Sequence, residues 1–157
     1  MRNAADYNSG RHKIRVRAEN SNPIILYDGV CGLCNRLVQF VLKRDKKDIF
    51  RFAALQSSFA RTLLAKHGYD AGDLNTVYVV LDPGGAAERL LCKSGAIAFI
   101  LEQLGGIWRM LAAFHIVPRM FRDLAYDLVA RFRYPVFGKY DACPLPTSKD
   151  RAKFLDL

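Results

Sequence analysis

The spacing of apolar positions changes period several times along the chain, and each change marks an element. Pro23 opens the ordered pattern. Ile24 to Tyr27 is a short apolar run closed by Asp28-Gly29, as expected of a buried strand. From Cys34 to Lys43 the period becomes helical, with Leu37, Val38, Val41 and Leu42 on one side and Phe40 beside them. Lys43, Arg44, Lys46 and Lys47 follow at the end of that helix, where cations favour its dipole. Ile49 to Ala53 alternates as a second strand. Ser57 or Ser58 is placed to cap a helix from about Phe59 to His67, stopped by Gly68. Thr76 to Leu81 is β-branched and aromatic, Asp82-Pro83-Gly84-Gly85 is a turn, and Glu88 to Cys92 returns as the other arm of a hairpin. Ser94 can cap a helix through Ala96, Phe99, Ile100 and Leu104, ended by Gly105-Gly106. Beyond it, Ile107 to His115 reads as helical. Pro118 suits the first turn of a further helix with Phe121, Leu124, Ala125, Leu128 and Val129 on one side. A loop follows from Tyr134 to Pro146, and a last helical turn spans Asp150 to Leu155.

The order β-α-β-α-β-β-α predicts an α/β protein of thioredoxin-like type. The first two strands should be parallel through a right-handed crossover. The last hairpin should be antiparallel, giving a mixed sheet with helices on both faces. Residues 1–22 are read as a flexible basic tail and 23–157 as one thioredoxin-like domain, with a C-terminal helical extension from about 107.

Composition narrows the class. The chain has 157 residues, 51% hydrophobic and 25% charged, which is enough for a real core. No run reaches the roughly 18 residues of a membrane span, and the N-terminus lacks a signal-peptide core. The net charge is +9. Arg2, Arg11, Lys13, Arg15 and Arg17 contribute to it from the tail, against Asp6 and Glu19. A solvated extension is the preferred reading of that segment, and the expected location is cytoplasmic. An Arg-rich, acid-poor tail also has the make-up of a transit peptide, which leaves organellar targeting open. No aromatic-basic interleaving points to nucleic acid.

The chemistry centres on Cys31-Gly32-Leu33-Cys34, at the junction of the first strand and first helix. A helix N-terminus stabilises a thiolate, and two thiols at this spacing can close and reopen a disulfide. Cys31, just before the helix, is expected to be the more exposed, attacking thiol. Cys34, one turn in, is expected to be the buried thiol that resolves the mixed disulfide. The competing reading is a zinc half-site in a non-enzymatic binding module, where the pair would hold a metal or an interaction loop. A closed zinc site needs four ligands. The remaining candidates are the isolated Cys92 and Cys143 and the single histidines His12, His67 and His115, so the redox reading is preferred. Asp28 is placed to cap or hold the active-site loop, or to relay a proton to Cys34. Cys143 has a redox and a structural reading, the latter preferred. Tyr126, Arg131 and Arg133 could line the site from the added helix, although a solvated basic face is the simpler account of each.

The stretch Tyr27-Asp28-Gly29-Val30-Cys31-Gly32-Leu33-Cys34-Asn35 resembles the DCC family of predicted thiol-disulfide oxidoreductases, named for its Asp, Cys and Cys. Lys93 to Ile97, Pro118 to Tyr126, Arg133-Tyr134, Phe137-Gly138 and Cys143-Pro144 extend the resemblance over about residues 23 to 155. It implies a thioredoxin-like fold and protein-disulfide reductase activity. Asp28, Cys31 and Cys34 are the motif residues, and Cys143 is a signature position. The expected partners are a disulfide-containing protein or small thiol substrate and an external thiol reductant, with no cofactor. Thioredoxin-like proteins usually place a cis-proline before the third strand; here Asn75-Thr76-Val77 stands there. Thr76, Tyr126 and Cys143 are the candidate substrate-binding residues.

Overall fold

A computed structural model describes residues 22–155 apart from 71, 73 and 142–145. The tail and Cys143 thus lie outside the described residues. Four strands form one sheet: β1 (Ile24–Tyr27), β2 (Arg51–Ala54), β3 (Tyr78–Leu81) and β4 (Arg89–Cys92), in the order β2-β1-β3-β4. β1 and β2 are parallel, while β1–β3 and β3–β4 are antiparallel. This is the expected mixed sheet of a thioredoxin-like fold.

β1 is buried along its whole length because it has a strand on each side and helices on each face. Its side chains divide with period two. Ile25 and Tyr27 join Phe52, Val77 and Val79 on one face of the sheet, under α1 (Gly32–Arg44) and α3 (Lys93–Leu104). Ile24 and Leu26 join Ala53, Tyr78 and Val80 on the other, against Ala60 and Leu64 of α2 (Ser58–Lys66). Ser57 caps α2 as expected, its Oγ accepting from Ala60 N at 3.1 Å.

Three local expectations change. α1 begins at Gly32, so Cys31 itself is the cap. Ser94 does not cap α3, which starts at Lys93, because its hydroxyl donates to the carboxylate of Asp123. The extension is also more broken than its hydropathy suggests. A short α4 (Gly106–Leu111) runs into a 3-10 turn (Ala112–Ile116), and Pro118 stands at the cap of α5 (Arg119–Phe137) rather than within its first turn.

α5 shows the largest departure from the pattern. Its stripe of Phe121, Leu124, Leu128 and Val129 is exposed, whereas Arg133 is buried. The helix turns its polar side to the domain because that side carries the partners. Asp123 accepts from Ser94, Asp127 pairs with Lys93 at 2.8 Å, and Tyr126 and Arg133 reach the sheet. Burial of each large outward side chain would otherwise be worth about 1.5–3 kcal/mol. No helix among the described residues is long and apolar enough to cross a membrane.

Candidate active site

The loop after β1 delivers Asp28 and then Cys31. Cys31 has extended backbone at the α1 cap, and its Sγ accepts from Cys34 N at 3.4 Å. An unpaired N–H of the first helical turn is thus satisfied by sulfur, at the positive end of the helix dipole. Asn35 fixes the loop behind it, its Nδ2 donating to Gly29 O at 2.8 Å and to Cys31 O at 2.9 Å.

The two thiols lie in opposite electrostatic states. The Cys31 thiol is lowered from 9.0 to about 6. The hydrogen bond from the Cys34 side chain is the main cause, and the Cys34 N–H and the Arg133 guanidinium assist against the opposing effect of burial. Cys34 is pushed far up by the same sulfur contact, by burial and by the negative charge on Cys31. The two shifts run in opposite directions, favouring the thiolate on Cys31 and the proton on Cys34.

Cys31 is not the more exposed thiol. It is 0% exposed and Cys34 4%. The cause is a strap at the end of α5. Gly32 N donates to Gly138 O at 3.1 Å, Tyr140 N donates to Val30 O at 2.8 Å, and Cys31 pairs with Lys139 as an isolated bridge. Gly32 makes this approach possible. A Cβ there would stand 2.1 Å from the Phe137 carbonyl oxygen.

Asp28 is the hub beneath the pair. It is 1% exposed, and four donors converge on its carboxylate. Oδ1 accepts from Val30 N at 3.1 Å and Gln56 Nε2 at 2.8 Å. Oδ2 accepts from Arg133 Nη2 at 3.1 Å and from the Tyr134 hydroxyl. Arg133, read most simply from sequence as part of a solvated basic face, is instead the buried counter-ion of Asp28, while Arg131 is exposed. Burial and the Asp28 contact hold the Tyr134 hydroxyl up at about 12, so it stays a donor. Gln56 went unnoticed in the sequence. It also accepts from Gly29 N at 3.1 Å, and nothing in the composition around it marks that role.

A cavity of about 330 Å³ borders the pair from the side of Cys34. Its walls are mostly apolar, with Leu33, Val77, Ile97, Phe114, Ala125 and Val129 among them. Cys34, Tyr126 and Arg133 bring polar groups to it. The Tyr126 hydroxyl accepts from Val77 N at 2.8 Å, the residue after Thr76, and burial raises that hydroxyl to about 12. Thr76 is buried beside it. The Arg133 Nε has no acceptor among the described residues. The site thus brings together Asp28, Cys31, Cys34 and Tyr126, with Thr76 adjacent.

Cys92 lies elsewhere, at the cap of α3, and His67 contacts Glu88 at 2.8 Å. Among the described residues no three His, Cys, Asp or Glu side chains gather as metal ligands would.

A family model described as DCC1-like thiol-disulfide oxidoreductase matches residues 25–139. The uncharacterized protein YuxK of Bacillus subtilis (strain 168) is 37% identical over 134 residues, covering 85% of this chain and 94% of its own. The DCC family protein At1g52590 of Arabidopsis thaliana, described as chloroplastic, is 38% identical over 128 residues, covering 81% and 72%. No solved structure matches.

Proposed function

Because the chain belongs to the DCC1-like thiol-disulfide oxidoreductase family, we propose that it is a dithiol reductase acting on protein or small-molecule disulfides. The observation that carries this reading is the unequal pair: a Cys31 thiolate on the α1 cap, held by Cys34 and facing Arg133. A thiolate at the ambient pH is the form that attacks a disulfide.

In the proposed cycle Cys31 Sγ attacks one sulfur of the substrate disulfide. The other sulfur leaves as a thiolate and takes a proton from solvent, and a mixed disulfide remains. Cys34 then loses its proton to the second departing sulfur and bonds to Cys31. The substrate leaves as two thiols, and the protein holds the Cys31–Cys34 disulfide. An external thiol reductant returns the two electrons. Once Cys31 Sγ is bonded to the substrate sulfur, both its contact with the Cys34 thiol as a thiolate and its negative charge are gone, so the Cys34 proton is held less firmly and resolution follows attack. Asp28 acts as a positioning residue, since its four donors fix the loop that carries Cys31. The Gly138–Tyr140 strap must shift to admit a substrate sulfur to Cys31. Tyr126, Thr76 and the Arg133 Nε are the groups that would position a substrate in the cavity. Cys143 remains a proposed contact outside the described residues.

The test is turnover of a model disulfide with a thiol reductant, on protein purified without chelator and assayed for metal. Cys31→Ser should abolish turnover and Cys34→Ser should accumulate a mixed disulfide visible by mass. Full activity in Cys31→Ser would overturn the nucleophile assignment. Stoichiometric zinc released by thiol blocking would overturn the enzyme reading in favour of a metal-holding binding module.

A further inference from the structure

The outward half of α5 is built like the inner face of a buried helix. Met120, Phe121, Leu124, Leu128, Phe132 and Val136 are each between 51 and 72% exposed. They occupy one side at helical spacing, opposite Arg122, Asp123, Tyr126 and Arg133. α4 and the turn after it add Ile107, Met110 and Ile116, the last 89% exposed. Monomeric soluble proteins rarely leave so large an apolar surface uncovered, and such surfaces mark interaction sites.

Charge selects the occupant. Between residues 106 and 140 the only carboxylates are Asp123 and Asp127. Both are engaged, Asp123 by Ser94 and Arg119 and Asp127 by Lys93. Arg109, Arg131 and Lys139 are exposed on the same segment and stand outside those pairs. A second copy of the chain would bring more cations to this face and no uncommitted carboxylate. Exposed apolar side chains on a segment with this excess of cations match the layered chemistry of an anionic bilayer surface, where acyl chains lie under phosphate headgroups.

We infer that the α4–α5 face docks onto an anionic lipid surface. The docked protein lies on the membrane without crossing it. The same helix walls the cavity beside Cys34 through Ala125, Tyr126, Val129 and Ala130. Docking therefore sets the dithiol at a fixed distance from the lipid and favours disulfides that partition there. The docking itself does not depend on the redox assignment, whereas its consequence for disulfides rests on that reading.

Vesicle co-sedimentation tests it without any turnover assay. The wild-type protein should sediment with vesicles of phosphatidylcholine and phosphatidylglycerol, and not with phosphatidylcholine alone. Salt should weaken the binding. Leu124→Glu/Leu128→Glu should lower the bound fraction at least about tenfold, with unchanged circular dichroism, because both side chains are already in water. Arg109→Ser/Arg131→Ser should lower it while leaving the apolar face intact. Equal binding to both vesicles, binding to neither, or indifference to both variants would overturn the inference. So would a dimer in analytical ultracentrifugation that Leu124→Glu/Leu128→Glu dissociates, which would assign the face to a second copy.

Discussion

Cys31 and Cys34 stand three positions apart in sequence and their acidities are shifted in opposite directions, and the alkylation of Cys31 should report it. Its rate with iodoacetamide should rise with a midpoint near pH 6. In Cys34→Ala the largest cause of the lowering is removed, so the midpoint should move up; a wild-type midpoint near 9 would contradict the site described above. The same shift enters stability. The Cys31 pKa is lower folded than unfolded, so its contribution is fully present above pH 9, the unfolded value, and disappears as pH falls through 6. Chemical denaturation of the reduced protein across that window should show stability from this group rising with pH. At this scale the sequence placed Asp28, Cys31 and Cys34 together, because all three fall on the short junction between the first strand and the first helix. It was silent on Gln56, since a lone glutamine carries no spacing signal. It misled on which thiol is more exposed, because the strap that covers Cys31 comes from more than 100 residues away.

Among the elements, the meeting of α1 with the strap at the end of α5 depends on Gly32. Gly32→Ala should push the new methyl against the Phe137 carbonyl, a backbone atom that cannot rotate aside. The hydrogen bond from Gly32 N to Gly138 O should be lost with it. We expect a loss of about 1–3 kcal/mol in urea denaturation and faster alkylation of Cys31 above pH 7, as the cover lifts. Unchanged stability together with unchanged alkylation would show that the strap does not seal the thiol. Periodicity placed every strand and the first three helices to within a few residues, because β1, β3, α1 and α2 bury their apolar sides as the pattern assumes. α5 was found as a helix for the right reason and turned the wrong way. An amphipathic pattern fixes two faces without saying which one meets the core, and here hydrogen bonds to Ser94, Val77 and Asp28 outweighed the apolar stripe.

For the whole molecule, the contact between Asp28 and Arg133 joins the loop after the first strand to the last long helix across 105 residues. Both groups are sealed from water, so removing one leaves the other charged and unpaired. Arg133→Leu should cost about 3–5 kcal/mol in denaturant unfolding. Adding Asp28→Asn to it should restore part of that loss, giving a coupling energy well away from zero. Additive effects would mean the two residues do not share a network. The consequence reaches back to how the protein is made. The nascent chain carries Cys31 and Cys34 long before it carries Arg133, Gly138 or Tyr140. Until that last helix folds back, the loop after β1 has no ion pair beneath it and no cover above it. The cysteine pair therefore matures last, and an incomplete chain lacks the setting that tunes and shields its reactive sulfur.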